Sequence, residues 1–290
     1  MPKISIVIPC YYNYYNIPET AKALIENEAL FDSDAVFEYI LIDDGSGDRT
    51  WEKLKDFKSE YSDKVTIIRL SRNVGSYNAI YPGLQQANGN CIVIMAADLQ
   101  DPPSHIKTMF DQWELGNKLI LANRENPTIG TRVYFNFLRT FGLPNLPIGG
   151  FDFCLFDRQL KDKMLESQAQ GGNSLYELLT LGENPTLVPY IKQERKIGRT
   201  RWTTWKKTKL ALNTINRYSN FRLIHVSVFL FMVCAFSLLL GVVLESRSSI
   251  QSLFFVLAFG SIIGAINIEV LRSVLRGGQQ ELTNVVAEVI

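Results

Sequence analysis

Short apolar runs alternate with amphipathic stretches over the first 122 residues. Five apolar runs predict strands, which lie at 4–8, 37–42, 65–70, 91–95 and 118–122. Four stretches with apolar residues at helical spacing lie between them, at 18–30, 50–60, 76–87 and 104–115. This alternation is typical of βαβ units, in which helices cover both faces of a parallel sheet. We therefore predict an α/β fold whose strands end at one common edge, where such sheets bind ligands.

Two longer apolar stretches near the carboxyl terminus predict transmembrane helices. Residues 223–244 and 250–271 are 22 residues long each, and their ionisable side chains are His225 and Glu269 alone. About 20 apolar residues suffice to cross the hydrocarbon core of a bilayer. Basic residues flank the outer ends of the pair, so the positive-inside rule predicts that both termini and the α/β domain are cytoplasmic.

The net charge of +1 conceals a strongly basic segment. Residues 192–222 contain ten Lys and Arg against the single acid Glu194. Nucleic acid or an anionic membrane surface would suit such a segment. Because an apolar span follows directly, we expect a membrane and no nucleic acid. Large apolar residues recur here at helical spacing and predict an amphipathic interfacial helix over 202–222: Trp205, Leu212, Ile215 and Phe221.

A polar cluster follows the predicted strand 91–95 directly. Asp98, Gln100 and Asp101 precede the Pro102-Pro103 pair, which stops the strand. Oxygen ligands at the carboxyl end of a parallel strand suit a hard divalent cation that also holds a diphosphate. The sequence therefore predicts Asp98 and Gln100 as metal ligands, with Mg²⁺ or Mn²⁺ as the ion.

The ends of the other strands carry groups that suit a nucleotide. A carboxylate at a strand end can accept hydrogen bonds from a base or a ribose, an aromatic ring can stack on the base, and an arginine can bind the diphosphate. Groups of these kinds stand at Tyr11, Asp43, Asp44 and Arg72.

These segments resemble the motifs of family 2 glycosyltransferases with a GT-A fold, above all the branch that loads sugars onto polyprenyl phosphates. The matching segments are Asp-Asp-Gly-Ser at 43–46, Arg-Asn-x-Gly at 72–75 and Asp-Leu-Gln-Asp-Pro-Pro at 98–103. The branch usually has Asp-x-Asp-Leu-Gln, and Ala96 stands in place of its first Asp. The resemblance implies a GT-A domain with a mostly parallel sheet, followed by the interfacial helix and the two transmembrane helices. The family resemblance of these segments also implies that Tyr11, Asp43, Asp44 and Arg72 bind the donor nucleotide together with Pro9, Ala97 and Asp98.

The resemblance also implies which residues bind the acceptor and how the transfer reaction proceeds. Arg124 and Arg132 would grip a lipid phosphate, Asp152 would face the sugar or the metal, and Arg201 would add positive charge from a loop similar to Arg-x-x-Gly-x-Ser-Lys. The phosphate oxygen would attack the anomeric carbon with inversion. A phosphate monoester has a second pKa of ~6, so no general base is needed.

Four regions follow from this interpretation. They are a glycosyltransferase domain (1–201), the interfacial helix (202–222), the transmembrane hairpin (223–271) and a cytoplasmic tail (272–290). The expected partners are a nucleotide sugar, with UDP favoured over GDP, and a polyprenyl phosphate such as undecaprenyl phosphate in a bacterial inner membrane. The apolar end of the tail could pair with another chain, which leaves a homo-oligomer open.

Three alternatives stay open at this point. The chain could extend a lipid-linked saccharide, with Asp152 or Asp101 as the base. It could catalyse transfer without metal, with arginines in place of the cation. It could also be a non-catalytic subunit that binds nucleotide sugars, because Ala96, Ser76 and Cys154 each replace a charged residue of the family. The sequence does not assign the donor sugar.

Overall fold

The computed structural model describes residues 1–31, 35–167, 174–195, 204–218, 260 and 285–290. These residues form one sheet with helices on both faces. The strands are β1 (Lys3–Cys10), β2 (Val36–Asp43), β3 (Val65–Leu70), β4 (Cys91–Ile94), β5 (Leu119–Arg124), β6 (Cys154–Asp157), β7 (Thr186–Tyr190) and β8 (Val286–Val289). The helices are α1 (Ile17–Glu28), α2 (Thr50–Glu60), α3 (Ser76–Gln86), α4 (His105–Glu114), α5 (Ile129–Phe141), α6 (Arg158–Ser167), α7 (Ser174–Glu177, followed by the 3-10 turn Leu178–Thr180) and α8 (Thr204–Tyr218).

The five strands and four helices predicted for the amino-terminal part are confirmed. The bounds of α2 and β3 agree with the predicted ranges, and the others differ by a few residues at their ends. These elements were predictable because each strand is a local apolar run and each helix has its own apolar face.

The sheet is mixed, with the strand order β7-β5-β6-β4-β1-β2-β3-β8. β1 pairs in parallel with β2 and β4, β2 with β3, and β5 with β7. β6 lies antiparallel between β4 and β5, with Cys154 opposite both Ile94 and Leu121. Because β6 runs in reverse, the residues just before it lie at the same edge as the carboxyl ends of β4 and β5. This reversal brings Asp152 to the functional edge.

Each face of the sheet packs into its own apolar layer. Alternate residues of β1 point to opposite layers, with Ile6 and Ile8 in one and Val7 in the other. α3 packs closely on the Val7 side of the sheet. Its Gly83 allows this approach, since a Cβ there would lie only 2.6 Å from Val7 Cγ1. A sheet buried on both faces holds its strand ends firmly, so the loops at the carboxyl edge are built on a rigid support.

The carboxyl terminus forms an edge strand of the same sheet. β8 runs antiparallel to β3, and the backbone N–H and C=O of Ile67 and Ile290 bond reciprocally at 2.9 Å. The sequence prediction treated 272–290 as a separate tail with an end that could pair with another chain. Residues 285–290 pair with this chain's own β3 instead, which covers an otherwise open sheet edge.

In the described part of the chain, no helix is both long and apolar enough to cross a membrane. The two predicted spans lie outside the described residues except for residue 260. α8 falls within the predicted interfacial helix, and its Ala211 and Ile215 are buried in the apolar layer on the α3 side. One face of α8 therefore packs against the α/β domain.

Candidate functional site

Asp44 holds the loop that follows β3. Its Oδ1 accepts the backbone N–H of Val74 at 2.7 Å, and its Oδ2 accepts the backbone N–H of Gly75 at 3.0 Å and the side-chain amide of Asn73 at 2.7 Å. Burial raises the pKa of Asp44 to about 6, although the two backbone N–H groups oppose the rise. Both carboxylate oxygens are thus used within the protein, so Asp44 shapes the carboxyl edge of the sheet by fixing residues 73–75.

Asp43 is fully buried at the end of β2 and is less completely bonded. Its Oδ1 accepts the backbone N–H of Ser46 at 3.0 Å. Its Oδ2 has no hydrogen-bond partner within the described ranges, and the nearest cation is Arg69, whose Nε lies 3.8 Å away. Burial raises the pKa of Asp43, while Ser46 and Arg69 act against that rise. Of the two predicted carboxylates, Asp43 is the one with acceptor capacity left.

The loops after β1, β2 and β3 interlock. The backbone N–H of Tyr12 donates to Ser46 Oγ at 3.0 Å, and Tyr12 itself has a positive φ of 56°. Gly45 also has a positive φ, and a Cβ there would lie 2.6 Å from the backbone of Arg72. A Cβ at Gly47 would lie 2.7 Å from the Tyr12 hydroxyl, so Gly45 and Gly47 let the neighbouring loops pack closely.

Three other predicted nucleotide residues lie along this edge. Pro9 pairs with Ile42 across the β1–β2 ladder, and the ring of Tyr11 meets that of Tyr12 edge to face at 4.7 Å. Arg72 is exposed, and its guanidinium makes no hydrogen bond or ion pair to any described residue. Arg72 is therefore placed to bind an incoming anion.

Residues 97–101, which follow the carboxyl end of β4 and are called the β4 edge, are held by an ion pair that was not predicted from the sequence. Nη2 of Arg195 lies 2.7 Å from Asp98 Oδ2 and 3.5 Å from Gln100 Oε1. The carbonyl of Ala97 accepts the hydroxyl of Thr20 at 3.0 Å, which fixes the backbone next to Asp98. The two predicted metal ligands thus do lie together, and they share an arginine.

Arg195 belongs to a segment, residues 190–195, that runs along the β4 edge. The backbone N–H of Gln193 donates to the carbonyl of Gln100 at 2.8 Å, and the Gln100 amide donates to the Gln193 carbonyl at 3.2 Å. The same segment brings the Tyr190 hydroxyl to 2.7 Å and Lys192 Nζ to 3.3 Å from Asp101 Oδ1. Asp101, a possible base in the sequence analysis, is therefore buried, with its Oδ1 bonded and its Oδ2 without a hydrogen-bond partner among the described residues.

Asp152, which lies just before β6, forms an ion pair with Arg124 at the end of β5. The other Asp152 oxygen accepts the Tyr77 hydroxyl at 3.1 Å, and Lys192 Nζ lies 3.8 Å from the carboxylate. Burial alone would raise the pKa of Asp152, but the charges of Arg124 and Lys192 outweigh it and lower that pKa. A carboxylate with a lowered pKa is a weak general base.

Arg132 lies apart from these contacts. It is exposed in the first turn of α5, and its guanidinium has no hydrogen-bond or ion-pair partner in the described ranges. α5 buries Phe135 and Leu138, while its opposite face exposes apolar side chains at every fourth position: Ile129, Val133, Phe137 and Phe141. Arg201, the remaining predicted residue, lies outside the described residues.

A divalent cation does not fit the groups at the β4 edge well. Mg²⁺ demands near-octahedral oxygen coordination, and carboxylates are its usual protein ligands. Position 96 offers a methyl group instead, and Asp98 already binds Arg195. Within the described ranges, no three His, Cys, Asp or Glu side chains are grouped to hold a metal ion. The groups described at this edge therefore do not match the ligand set that Mg²⁺ prefers.

Sequence comparison gives a family and a set of relatives. Residues 5–175 match the profile of Glycosyl transferase family 2. The chain is 32% identical to the uncharacterized glycosyltransferase YkcC of Bacillus subtilis over 74% of this chain and 68% of that protein. It is 28% identical to the prophage bactoprenol glucosyl transferase homolog of Escherichia coli, over 76% and 74%. It is 27% identical to the bactoprenol glucosyl transferase of Shigella phage SfV, over 76% and 73%.

Solved structures share the fold at low sequence identity. Glucosyl-3-phosphoglycerate synthase from Mycobacterium tuberculosis, in complex with Mn²⁺, UDP and glucosyl-3-phosphoglycerate, aligns with a TM-score of 0.54 at 15% identity, over 75% of this chain and 80% of that one. The mannosyltransferase PcManGT from Pyrobaculum calidifontis, in complex with GDP-Man and Mn²⁺, aligns with a TM-score of 0.53 at 13% identity, over 97% and 88%.

Proposed function

This chain belongs to Glycosyl transferase family 2 and has its GT-A fold, and from this premise we propose that it transfers a sugar from a nucleotide sugar to a polyprenyl phosphate, with inversion. Family membership makes the chain a glycosyltransferase, as the sequence predicted. The acceptor is the proposed part. The names of several relatives as bactoprenol glucosyl transferases support it.

The observation that carries the acceptor proposal is the exposed face of α5. Ile129, Val133, Phe137 and Phe141 are between 46% and 83% exposed, although a helix on a rigid domain normally buries such a stripe. Arg132 lies on the same helix and is an exposed cation without a partner among the described residues. An apolar stripe next to a free guanidinium suits a phosphate that carries a hydrocarbon chain, and a helix of this kind lies at a membrane surface.

The carboxylates near the proposed acceptor site are poor candidates for a general base, which favours a phosphate over a sugar hydroxyl as the nucleophile. A sugar hydroxyl needs deprotonation by a positioned base. The two carboxylates available for that role are poorly suited, because Asp152 is paired with Arg124 and Lys192 and Asp101 is bonded to Tyr190 and Lys192. A phosphate monoester needs no base at neutral pH. Extension of a lipid-linked saccharide is therefore the weaker alternative.

In the proposed reaction, the donor lies across the edge formed by β1 to β4. Asp43, Tyr11 and Pro9 flank the nucleoside, the loop fixed by Asp44 presents Arg72 to the diphosphate, and Ala97 and Asp98 line the far side. A lone pair of the acceptor phosphate forms the bond to the anomeric carbon while the bond to the diphosphate oxygen breaks. UDP is the favoured nucleotide, and the donor sugar is not assigned.

The membrane arrangement is also part of the proposal. The pairing of β8 with β3 supports an arrangement in which residues 285–290 lie on the same side of a membrane as the α/β domain. The two spans predicted from the sequence at 223–244 and 250–271 are even in number and agree with this arrangement. Under the positive-inside rule, we propose that the domain faces the cytoplasm of a bacterial cell.

The test is transfer of labelled sugar to a lipid. Membranes containing the full chain are incubated with undecaprenyl phosphate and a panel of labelled UDP- and GDP-sugars, and the organic phase is counted. We expect label in that phase with one donor, and a strong loss with Phe137→Ser but not with Asn136→Ser, its exposed polar neighbour on α5. Label that enters only water-soluble saccharides would contradict the proposed acceptor.

A further inference from the structure

The β4 edge contains a cation of its own at the position predicted for a metal ion. Asp98 and Gln100 are the oxygen ligands that the sequence assigned to Mg²⁺ or Mn²⁺. In the structure, Arg195 Nη2 lies 2.7 Å from one and 3.5 Å from the other. A guanidinium therefore approaches both of the atoms that were expected to hold the ion.

The charges of the site agree with a guanidinium in the place of a divalent cation. Two carboxylates and a divalent cation sum to zero, and so do one carboxylate and one guanidinium. The substitution of the first carboxylate by Ala96 removes one negative charge. Arg195 supplies one positive charge in place of two, so the site keeps its electrical balance with a protein side chain alone. A divalent ion added beside Arg195 would meet like-charge repulsion.

Arg195 is held in this position by the backbone. The hydrogen bonds between Gln193 and Gln100 join the 190–195 segment to the β4 loop in both directions. The Asp98 side chain is only 10% exposed, whereas that of Arg195 is 30% exposed. Asp98 is thus the more buried partner of the pair, and Arg195 keeps an exposed fraction that a diphosphate can reach.

We propose that Arg195 replaces the divalent cation, so that this enzyme binds the diphosphate of its donor and transfers the sugar without a metal ion. The proposal rests on the function proposed above. As the bond between the anomeric carbon and the diphosphate oxygen breaks, its electron pair stays on the nucleoside diphosphate, and Arg195 donates N–H hydrogen bonds to the growing negative charge. Guanidinium suits this role because it binds phosphate oxygens through two parallel N–H groups. Asp98 acts as a positioning residue for it.

The experiment measures binding of UDP and GDP to the full-length protein in lipid nanodiscs, by calorimetry, in EDTA and then in excess Mn²⁺. For the wild type we expect the better nucleotide to bind equally in both conditions. Arg195→Gln is expected to weaken binding in EDTA by at least about tenfold, which is about 1.4 kcal/mol. Arg195→Lys, which retains the charge, is expected to keep part of the affinity. Arg158→Gln is the matched control, because its guanidinium also bonds the protein, at Gly89, but at the opposite end of β4.

A double variant tests the same proposal in the opposite direction, by restoring a site for a metal ion. Arg195→Gln combined with Ala96→Asp restores a two-carboxylate site, so its nucleotide binding should return in Mn²⁺ and be lost in EDTA. Electron paramagnetic resonance should detect bound Mn²⁺ in the double variant and not in the wild type. Wild-type nucleotide binding that disappears in EDTA would overturn the proposal, as would unchanged binding by Arg195→Gln. Absence of lipid-linked label with EDTA-resistant nucleotide binding would instead overturn the proposed acceptor and leave the role of Arg195 supported.

Discussion

Two carboxylates at the same edge of the sheet, Asp44 and Asp98, are bound in opposite ways. Asp44 is saturated by three neutral N–H groups of residues 73–75, which lie about thirty positions along the chain. Asp98 is paired with the charged guanidinium of Arg195, 97 positions away. The first arrangement builds a loop, since neutral donors in a buried site fix geometry. The second supplies an ion pair that a diphosphate can join. In the sequence, both residues are simply aspartates at strand ends.

Removal of Arg195 should cause the largest loss of activity, with little change in stability. Arg195→Gln is expected to lower the rate of sugar transfer by about 10²–10³-fold, the usual loss when one donor to a developing oxyanion is removed. Its thermal unfolding temperature should change little, because partly exposed ion pairs contribute about 0–1 kcal/mol. A fall in stability as large as that of an Asp44 variant would break the contrast between the two sites.

Removal of Asp44 should produce the reverse pattern. Asp44→Ala leaves the backbone N–H groups of Val74 and Gly75 and the amide of Asn73 without their acceptor. Each unsatisfied buried group costs about 1–3 kcal/mol, and with partial relaxation we expect a total of about 3 kcal/mol. Denaturant unfolding measures this loss. If stability is unchanged and only nucleotide binding falls, then Asp44 contacts the nucleotide directly, as the motif alone suggested.

The pH dependence of the free energy of unfolding tests the burial of Asp44. Burial raises the pKa of Asp44 in the folded protein from 3.8 to about 6. Between these values the folded state binds the proton and the unfolded state does not, so the contribution of Asp44 to stability falls as pH rises from about 4 to about 6 and is constant above. The expected change is roughly 2 to 3 kcal/mol. The stability difference between wild type and Asp44→Asn should shrink by that amount over this interval, whereas a constant difference would contradict the raised pKa.

Glycine substitutions test the interlocking of the donor loops with a smaller effect. Gly45 and Gly75 both have positive φ, so Ala is strained at each by about 1–2 kcal/mol. A Cβ at Gly45 would also lie 2.6 Å from the Arg72 backbone, whereas a Cβ at Gly75 meets nothing within 4 Å. Gly45→Ala should therefore be more destabilising than Gly75→Ala by about 1 kcal/mol or more. Equal losses in urea unfolding would show that the loops do not pack as closely as described.

The sequence was sufficient for the parts of the fold that are local. β1 to β5 and α1 to α4 follow from apolar periodicity, and the predicted nucleotide residues do lie along one edge because parallel strands end together. β6 and β8 were not predicted. Each is held by antiparallel pairing with strands that are distant in the sequence, and a local apolar pattern does not encode such pairing.

The candidate site was only partly predictable for the same reason. The motifs identified Asp98, Gln100, Arg124 and Asp152, but not the partners that decide their roles. Arg195 is the first residue of the loop that resembles Arg-x-x-Gly-x-Ser-Lys, and Lys192 begins the basic segment, but neither signal indicates a partner. Nothing local indicates that residue 195 lies on residue 98, because that contact depends on the Gln193–Gln100 hydrogen bonds. α5 and its exposed apolar stripe were not predicted from the sequence.

We propose above that Arg195 performs the task of a metal ion in a polyprenyl-phosphate glycosyltransferase. The rate of transfer of labelled sugar to undecaprenyl phosphate, measured on membranes in EDTA and in Mn²⁺, tests this role directly. We expect equal rates in the two conditions for the wild type and a strong loss in both for Arg195→Gln. A wild-type rate that collapses in EDTA and returns with Mn²⁺ would contradict it.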